Sequence, residues 1–127
     1  MACPFCDLIA SGHVLVDGGA AVAIADAFPL NPGHTLVVPR RHEPNFLALR
    51  PDELEVIARV ARGAVEELTR GHHPDGWNLG VNVGDAAGQT IDHAHLHLVP
   101  RYRGDVDDPR GGVRWLIPAR APYWRGE

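Results

Sequence analysis

The sequence predicts an α+β fold. Three observations carry that reading. Short apolar segments outnumber helical ones, one long stretch has helical apolar periodicity, and the joints between segments are brief and rich in turn residues. Short joints suit antiparallel pairing, because parallel strands need a long crossover. The chain has 127 residues, 45% of them apolar and 22% charged, which is enough for one domain over residues 1–127 with a buried core and too apolar for disorder.

The elements follow in order. Residues 3–11 read as a short helical turn that puts Cys3 and Cys6 on one side. Residues 14–16 and 21–25 are short strands split by Asp17-Gly18-Gly19, a hairpin-type turn. Pro29, Asn31, Pro32 and Gly33 make a loop, and residues 34–39 are a β-branched strand. The long helix starts at Arg50-Pro51-Asp52-Glu53, with proline and acids in its first turn. Leu54, Ile57, Val60, Ala61, Ala64, Val65 and Leu68 recur at three- and four-residue steps and form its apolar face. Glu55, Arg59, Arg62 and Glu66 lie opposite, and Gly71 is the expected stop. Residues 77–83 alternate as a strand, 84–88 are a loop, and 92–100 are a last strand. The tail from Arg101 is rich in Gly, Pro and Arg and carries Trp115, Tyr123 and Trp124.

Charge and hydropathy narrow the function. Twelve Lys and Arg against sixteen Asp and Glu give a net charge of −4, which argues against nucleic-acid binding. No apolar run reaches the roughly 18 residues that span a bilayer. The N-terminal residues show no basic-then-apolar secretory pattern, so a cytoplasmic protein is expected.

Two features carry chemistry. Cys3 and Cys6 are the only cysteines, and their spacing reads as a redox pair or as half of a zinc site. Eight histidines are available to complete such a site. The segment His93-Ala94-His95-Leu96-His97-Leu98-Val99 puts three imidazoles on one face of a strand, about 7 Å apart. A solvated strand face, a metal-binding strand and a catalytic row all fit that pattern. Phosphate-binding groups nearby favour the catalytic row. Asn82-Val83-Gly84 and Gly88-Gln89-Thr90 precede the histidines; glycines let backbone N–H groups approach an anion, and Gln89 and Thr90 add side-chain donors.

With these segments in view, the sequence resembles the histidine triad (HIT) family. The resemblance rests on Cys3 and Cys6, Asp26 at a strand end, Pro32-Gly33-His34-Thr35-Leu36-Val37-Val38-Pro39 with His42, Asn82 with Gly84, and Ala87-Gly88-Gln89-Thr90 followed by His93, His95, His97, Leu98, Pro100 and Arg101. It implies an antiparallel sheet of about five strands with the long helix packed on it, plus the short N-terminal helix. It also implies a nucleotide hydrolase or transferase acting on an α-phosphate. His95 would be the nucleophile and His97 and Gln89 its catalytic partners. Asp26 would bind ribose. Asn82, Gly88, Gln89, Thr90, His95 and His97 would contact phosphate or leaving group, and Phe5 and Phe28 would wall the base. A structural zinc would be held by Cys3, Cys6, His42 and His93, with no organic cofactor.

The expected reaction is hydrolysis of a nucleoside phosphoramidate or a dinucleoside polyphosphate through a nucleotidyl-histidine, releasing a nucleoside monophosphate. The alternatives are a phosphorylase or nucleotidyltransferase, a non-catalytic zinc- or nucleotide-binding module, and a metal-dependent hydrolase using all three triad histidines as ligands. The family resemblance implies a homodimer and a small nucleotide as partner. Arg40, Arg41, Arg101 and Arg103 are candidates for steering anionic substrates, and His34 reads as structural.

Overall fold

In the computed structural model, which describes residues 2–125, the elements run as predicted: α1 (Pro4–Ala10), β1 (Val16–Asp17), β2 (Ala21–Ala25), β3 (Thr35–Pro39), α2 (Pro51–His72), β4 (Gly76–Val81) and β5 (Leu96–Arg101). The five strands form one sheet in the order β1-β2-β3-β5-β4, and every neighbouring pair is antiparallel. Among the described residues, no helix is long and apolar enough to cross a membrane.

The two helices cover opposite faces of this sheet. Ile57, Val60, Ala61 and Ala64 of α2 pack on Ala21, Ala23, Val37 and Leu98. Phe5 of α1 packs on Val22, Ile24, Leu36 and Val38. The central strands are therefore buried on both faces, which is why they read as continuous apolar runs rather than alternating ones. Each fully buried Val, Leu or Ile side chain contributes about 1.5–3 kcal/mol.

Local chemistry explains the element ends. Cys3 caps α1 by accepting the Cys6 N–H on its sulfur, and Pro4 opens the helix. Asp17 Oδ1 accepts the Gly19 N–H, closing the predicted turn. A side chain at Gly18 would collide with Val60 and Val56, so this turn presses directly on α2. At the start of α2, the Glu53 carboxylate accepts the Arg50 N–H at 2.9 Å.

Four boundaries differ from the sequence reading, among them the end of β4, which stops at Val81 rather than at residue 83. α2 does not stop at Gly71: it runs through His72, and His73 takes the left-handed position with φ 53° before Pro74 blocks continuation. The hairpin strand β1 covers Val16–Asp17 rather than 14–16. β5 begins at Leu96, not 92. His93 and His95 lie in its lead-in, where the Ala94 N–H donates to the Glu43 carbonyl at 2.7 Å instead of to a strand partner.

Candidate functional site

The site lies on the α1 face of the sheet, along β5 and its lead-in. In the register, His97 stands between Leu36 on β3 and Gly80 on β4. His95 is 6% exposed and His93 fully buried. Phe5 sits edge-on to both, with ring centroids 5.7 Å from His93 and 5.1 Å from His95. The one-face expectation for the three histidines holds, although two of them precede the strand.

Each triad histidine has a different hydrogen-bond partner, and the partners set the tautomers. His93 Nε2–H donates to the Pro39 carbonyl at 2.8 Å, which leaves Nδ1 as a lone pair. His95 Nδ1–H donates to the His93 carbonyl at 2.8 Å, which leaves Nε2 free to attack. His97 is set through His34. The Leu30 N–H donates to His34 Nδ1 at 3.0 Å, so the His34 proton sits on Nε2 and is given to His97 Nδ1 at 3.0 Å. The proton of His97 is thereby placed on Nε2. His95 offers a lone pair and His97 a donor, with ring centroids 5.1 Å apart.

Electrostatics keep the relay neutral. Burial pushes the His97 imidazole below the usual histidine range, and His95 and His34 push it further, against the pull of Asp26. Burial does the same to His34, again opposed by Asp26. Asp26 Oδ2 lies 3.4 Å from His34 Nε2 and 3.9 Å from His97 Nδ1. Its Oδ1 accepts the Phe28 N–H at 2.8 Å. Asp26 is thus tied both to its turn and to the relay.

A second cluster sits behind the triad. Cys3 Sγ and Cys6 Sγ lie 3.4 and 3.6 Å from His93 Nδ1, and His42 Nδ1 lies 3.4 Å from Cys6 Sγ. A tetrahedral site with thiolate bonds near 2.3 Å and imidazole bonds near 2.05 Å has sulfur–nitrogen edges of about 3.6 Å. The four ligand atoms lie within 4.8 Å of one another, and His93 presents the nitrogen that carries no proton. The donor set fits a closed metal site. Among the described residues, His97 belongs to a different group, with Asp26 and His34, and His95 to neither. The three triad histidines do not converge on one ion, so the structure does not support a metal-dependent hydrolase built on them.

Other expected residues are placed less simply. Gln89 Oε1 accepts the Gly84 N–H, and its Nε2 donates to the Pro44 and Ile91 carbonyls, so its amide braces the loop over residues 84–91. Phe5 is 4% exposed and sits against the His93 and His95 rings, whereas Phe28 is 87% exposed. Thr90 is exposed and Asn82 partly so, while Gly88 takes a positive φ of 89° in the turn before them. Arg40, Arg41, Arg101 and Arg103 are each committed to a carboxylate: Asp17, Glu53, Asp105 and Asp75. Their charge is spent locally rather than aimed at the site. His34 is more than structural, since it positions His97. Its sequence signal was weak, because only the pairing of β3 with β5 brings the two rings together.

The family model described as the HIT domain matches residues 9–104. This chain belongs to the HIT family. It is 35% identical over 108 residues to an uncharacterised HIT-like protein of Saccharolobus solfataricus, covering 83% of this chain and 78% of that protein. It is 33% identical over 97 residues to a Mycobacterium tuberculosis protein named AP-4-A phosphorylase, covering 76% of this chain and 50% of that protein. A crystal structure of a Zn-bound histidine triad family protein from Mycobacterium smegmatis aligns with a TM-score of 0.74 at 31% identity, over 100% of this chain and 99% of that one. The fold of this HIT protein is that of its relatives: five antiparallel strands, one long helix and a short N-terminal helix. Residues 105–125 of the HIT chain lie beyond the span that the family model matches.

Proposed function

We propose that this HIT protein cleaves the α-phosphate bond of a nucleoside 5′-phosphate derivative and releases a nucleoside monophosphate. The observation that carries the reading is the opposite tautomers of His95 and His97, one a lone pair and the other a donor. In the first step, His95 Nε2 forms a bond to phosphorus as the bond to the leaving group breaks. A leaving amine nitrogen takes its proton from solvent, and His97 keeps its Nε2–H as a hydrogen-bond donor to the phosphoryl oxygens. In the second step, water bonds to phosphorus, the N–P bond breaks, and the electron pair returns to His95. The water's proton goes to solvent, which restores the starting state. Asp26 contacts the ribose hydroxyls, Phe28 the base, and Asn82 and Thr90 the phosphate side.

Cys3, Cys6, His42 and His93 hold a zinc ion in this reading. The ion supplies a structural cross-link between α1, the segment after β3 and the triad, and no chemistry at phosphorus. A reducing compartment such as the cytoplasm keeps both thiols available. The chain works as a homodimer. Leu54 and Leu79 are 37% and 48% exposed, and with Ala58 and Val65 they line one apolar groove between α2 and β4, the open edge of the sheet.

The test is monophosphate release from adenosine 5′-phosphoramidate and from diadenosine tetraphosphate, with and without chelator, beside His95→Ala. Release that resists brief chelation and vanishes in His95→Ala supports the assignment. Release that persists in His95→Ala overturns it. The relative named AP-4-A phosphorylase motivates a second reading, with inorganic phosphate replacing water as acceptor. Product formation that depends on added phosphate, and yields a nucleoside diphosphate, selects that reading.

A further inference from the structure

Cys3 and Cys6 are the only cysteines of the chain, and they meet at the start of α1. Cys3 is the N-cap and accepts the Cys6 N–H on its sulfur at 3.4 Å. The two sulfurs lie within 4.8 Å of each other, and C-x-x-C at the start of a helix is a spacing that closes to a disulfide. Both thiols are free and partly exposed. The cluster they share with His42 and His93 is open on one side. His42 is exposed, and its contact with Cys6 lies at the surface, whereas the contact of Cys3 with His93 is half-buried. An oxidant in solvent reaches Cys6 first.

The same cluster is joined to His95 at three points. His93 Nδ1 faces the sulfurs of Cys3 and Cys6 at 3.4 and 3.6 Å, and the His93 carbonyl accepts the His95 Nδ1–H at 2.8 Å. The bond that leaves His95 Nε2 free therefore starts from a residue that the sulfurs help to hold. Phe5 lies between the two cysteines in sequence and edge-on to both the His93 and His95 rings, so a change in the first turn of α1 is felt at both. On the far side, the Ala94 N–H donates to the carbonyl of Glu43, the residue after His42. Apart from the sulfurs, the His93 ring has one tie, its Nε2–H to the Pro39 carbonyl.

We propose that Cys3 and Cys6 are an oxidation site for hydroperoxides, and that closing the Cys3–Cys6 disulfide gives up the metal and turns off the His95 site reversibly. The inference rests on the zinc reading of Cys3, Cys6, His42 and His93. The Cys6 thiolate, on the open side, attacks one oxygen of hydrogen peroxide: the S–O bond forms, the O–O bond breaks, and hydroxide leaves. The Cys3 thiolate then attacks the Cys6 sulfur: the S–S bond forms, the S–O bond breaks, and a second hydroxide leaves. The sulfurs lose two electrons and the peroxide oxygens gain them, while two protons from solvent turn both hydroxides into water. Disulfide sulfurs are no longer thiolate ligands, so the donor set falls to His42 and His93 and cannot close a tetrahedral site. His93 is left with its Pro39 tie, and the carbonyl that orients His95 loses its anchor. A thiol reductant reverses the S–S step, and renewed Zn²⁺ rebuilds the cluster.

The experiment treats the reduced, metal-analysed full chain with hydrogen peroxide. Four quantities are read before and after: zinc released to a colorimetric chelator, free thiols counted in denaturant, Tm, and kcat on adenosine 5′-phosphoramidate. Thiols should fall from two to none, with one zinc freed per disulfide, and Tm should drop to that of the chelated, reduced chain. Loss of the groups that hold a ligand histidine should lower kcat by about tenfold or more, with little change in KM. Dithiothreitol with added Zn²⁺ should restore all four. Thiols that survive the peroxide, a loss that dithiothreitol does not reverse, disulfides between chains on a non-reducing gel, zinc retained after the disulfide closes, or a disulfide with kcat unchanged overturns the proposal. A chain that carries no zinc and takes up none refutes the zinc reading instead. The thiol count and kcat of that metal-free chain then decide the oxidation site by the same criteria. If the phosphoramidate is not turned over, the His95 reaction has failed, and labelling of His95 by diethyl pyrocarbonate, read by peptide mass, replaces kcat. Equal labelling of the reduced and oxidised chains overturns the link to His95.

Discussion

Replacing Glu53 with Gln should destabilise the protein at neutral pH by an amount that disappears in acid. Glu53 is 2% exposed at the third position of α2 and accepts the Arg50 N–H at 2.9 Å, Arg41 Nη2 at 2.8 Å and Arg41 Nε at 3.1 Å. The Arg41 guanidinium, with the Arg50 N–H, holds its carboxyl down from 4.5 to about 2. At about 1.36 kcal/mol per pH unit, that shift sets a ceiling of about 3 kcal/mol on the charged form. The Arg41 side chain is 42% exposed, so solvent screening lowers the figure to about 2 kcal/mol. Gln keeps an oxygen for the Arg50 N–H but sets an NH2 against the guanidinium. A loss of about 1–3 kcal/mol, or roughly 4–10 °C in Tm, follows. The sign is set by the direction of the shift. A carboxyl with a depressed folded value stabilises fully above its unfolded value of 4.5 and loses that contribution as pH falls toward 2. Urea unfolding of both proteins at pH 7, 5, 4 and 3 measures the gap. It should be full at pH 7 and 5 and shrink below pH 4.5. Other acids titrate alike in both proteins and cancel. A gap that stays constant across this range would refute the reasoning. The pair bears on the site as well, because Arg41 precedes His42 and also bonds Glu43, whose carbonyl accepts the Ala94 N–H.

Three further outcomes are expected. Metal analysis should find one zinc per chain, reduced by Cys3→Ser, Cys6→Ser, His42→Ala or His93→Ala and unchanged by His97→Ala. Prolonged chelation should lower Tm in the wild type but not in His93→Ala. His34→Leu should lower kcat about 100-fold with little change in KM or metal content, because His97 loses the donor that sets its tautomer. His34→Gln, which restores an N–H toward His97, should recover part of the loss; an unchanged kcat in His34→Leu would remove His34 from the mechanism. Leu79→Asp, placed in the groove between α2 and β4, should convert a dimer to a monomer in light scattering, while a mass unaffected by the change would locate the interface elsewhere.

Much of the site was legible because its signals are local. The spacing of Cys3 and Cys6 puts both thiols at one end of a short helix, and alternate histidines share a face in any extended segment. The long helix was legible from periodicity alone, and its buried side chains Ile57, Val60, Ala61 and Ala64 are those the pattern chose. Boundaries were less so. The end of α2 depends on His73 adopting a left-handed conformation that a nearby glycine would have taken more cheaply. The start of β5 depends on where its neighbours begin.

Composition and periodicity determined the fold class, and the motifs that carry the family resemblance singled out the histidine and cysteine residues that gather at the site. They do so because each is written in runs of adjacent residues. Tertiary structure decided the roles. The tautomers of His93, His95 and His97 are set by the Pro39 carbonyl, the His93 carbonyl and the His34 ring. The Pro39 carbonyl and the His34 ring lie 54 and 63 positions from the histidines they orient. That the Gln89 amide bonds three backbone groups and that Phe5 lies against two imidazoles could likewise be seen only in the folded chain. A hydrogen bond needs a donor and an acceptor about 3 Å apart. For residues so distant along the chain, only the packing of β3 against β5 and of α1 on the sheet creates that distance.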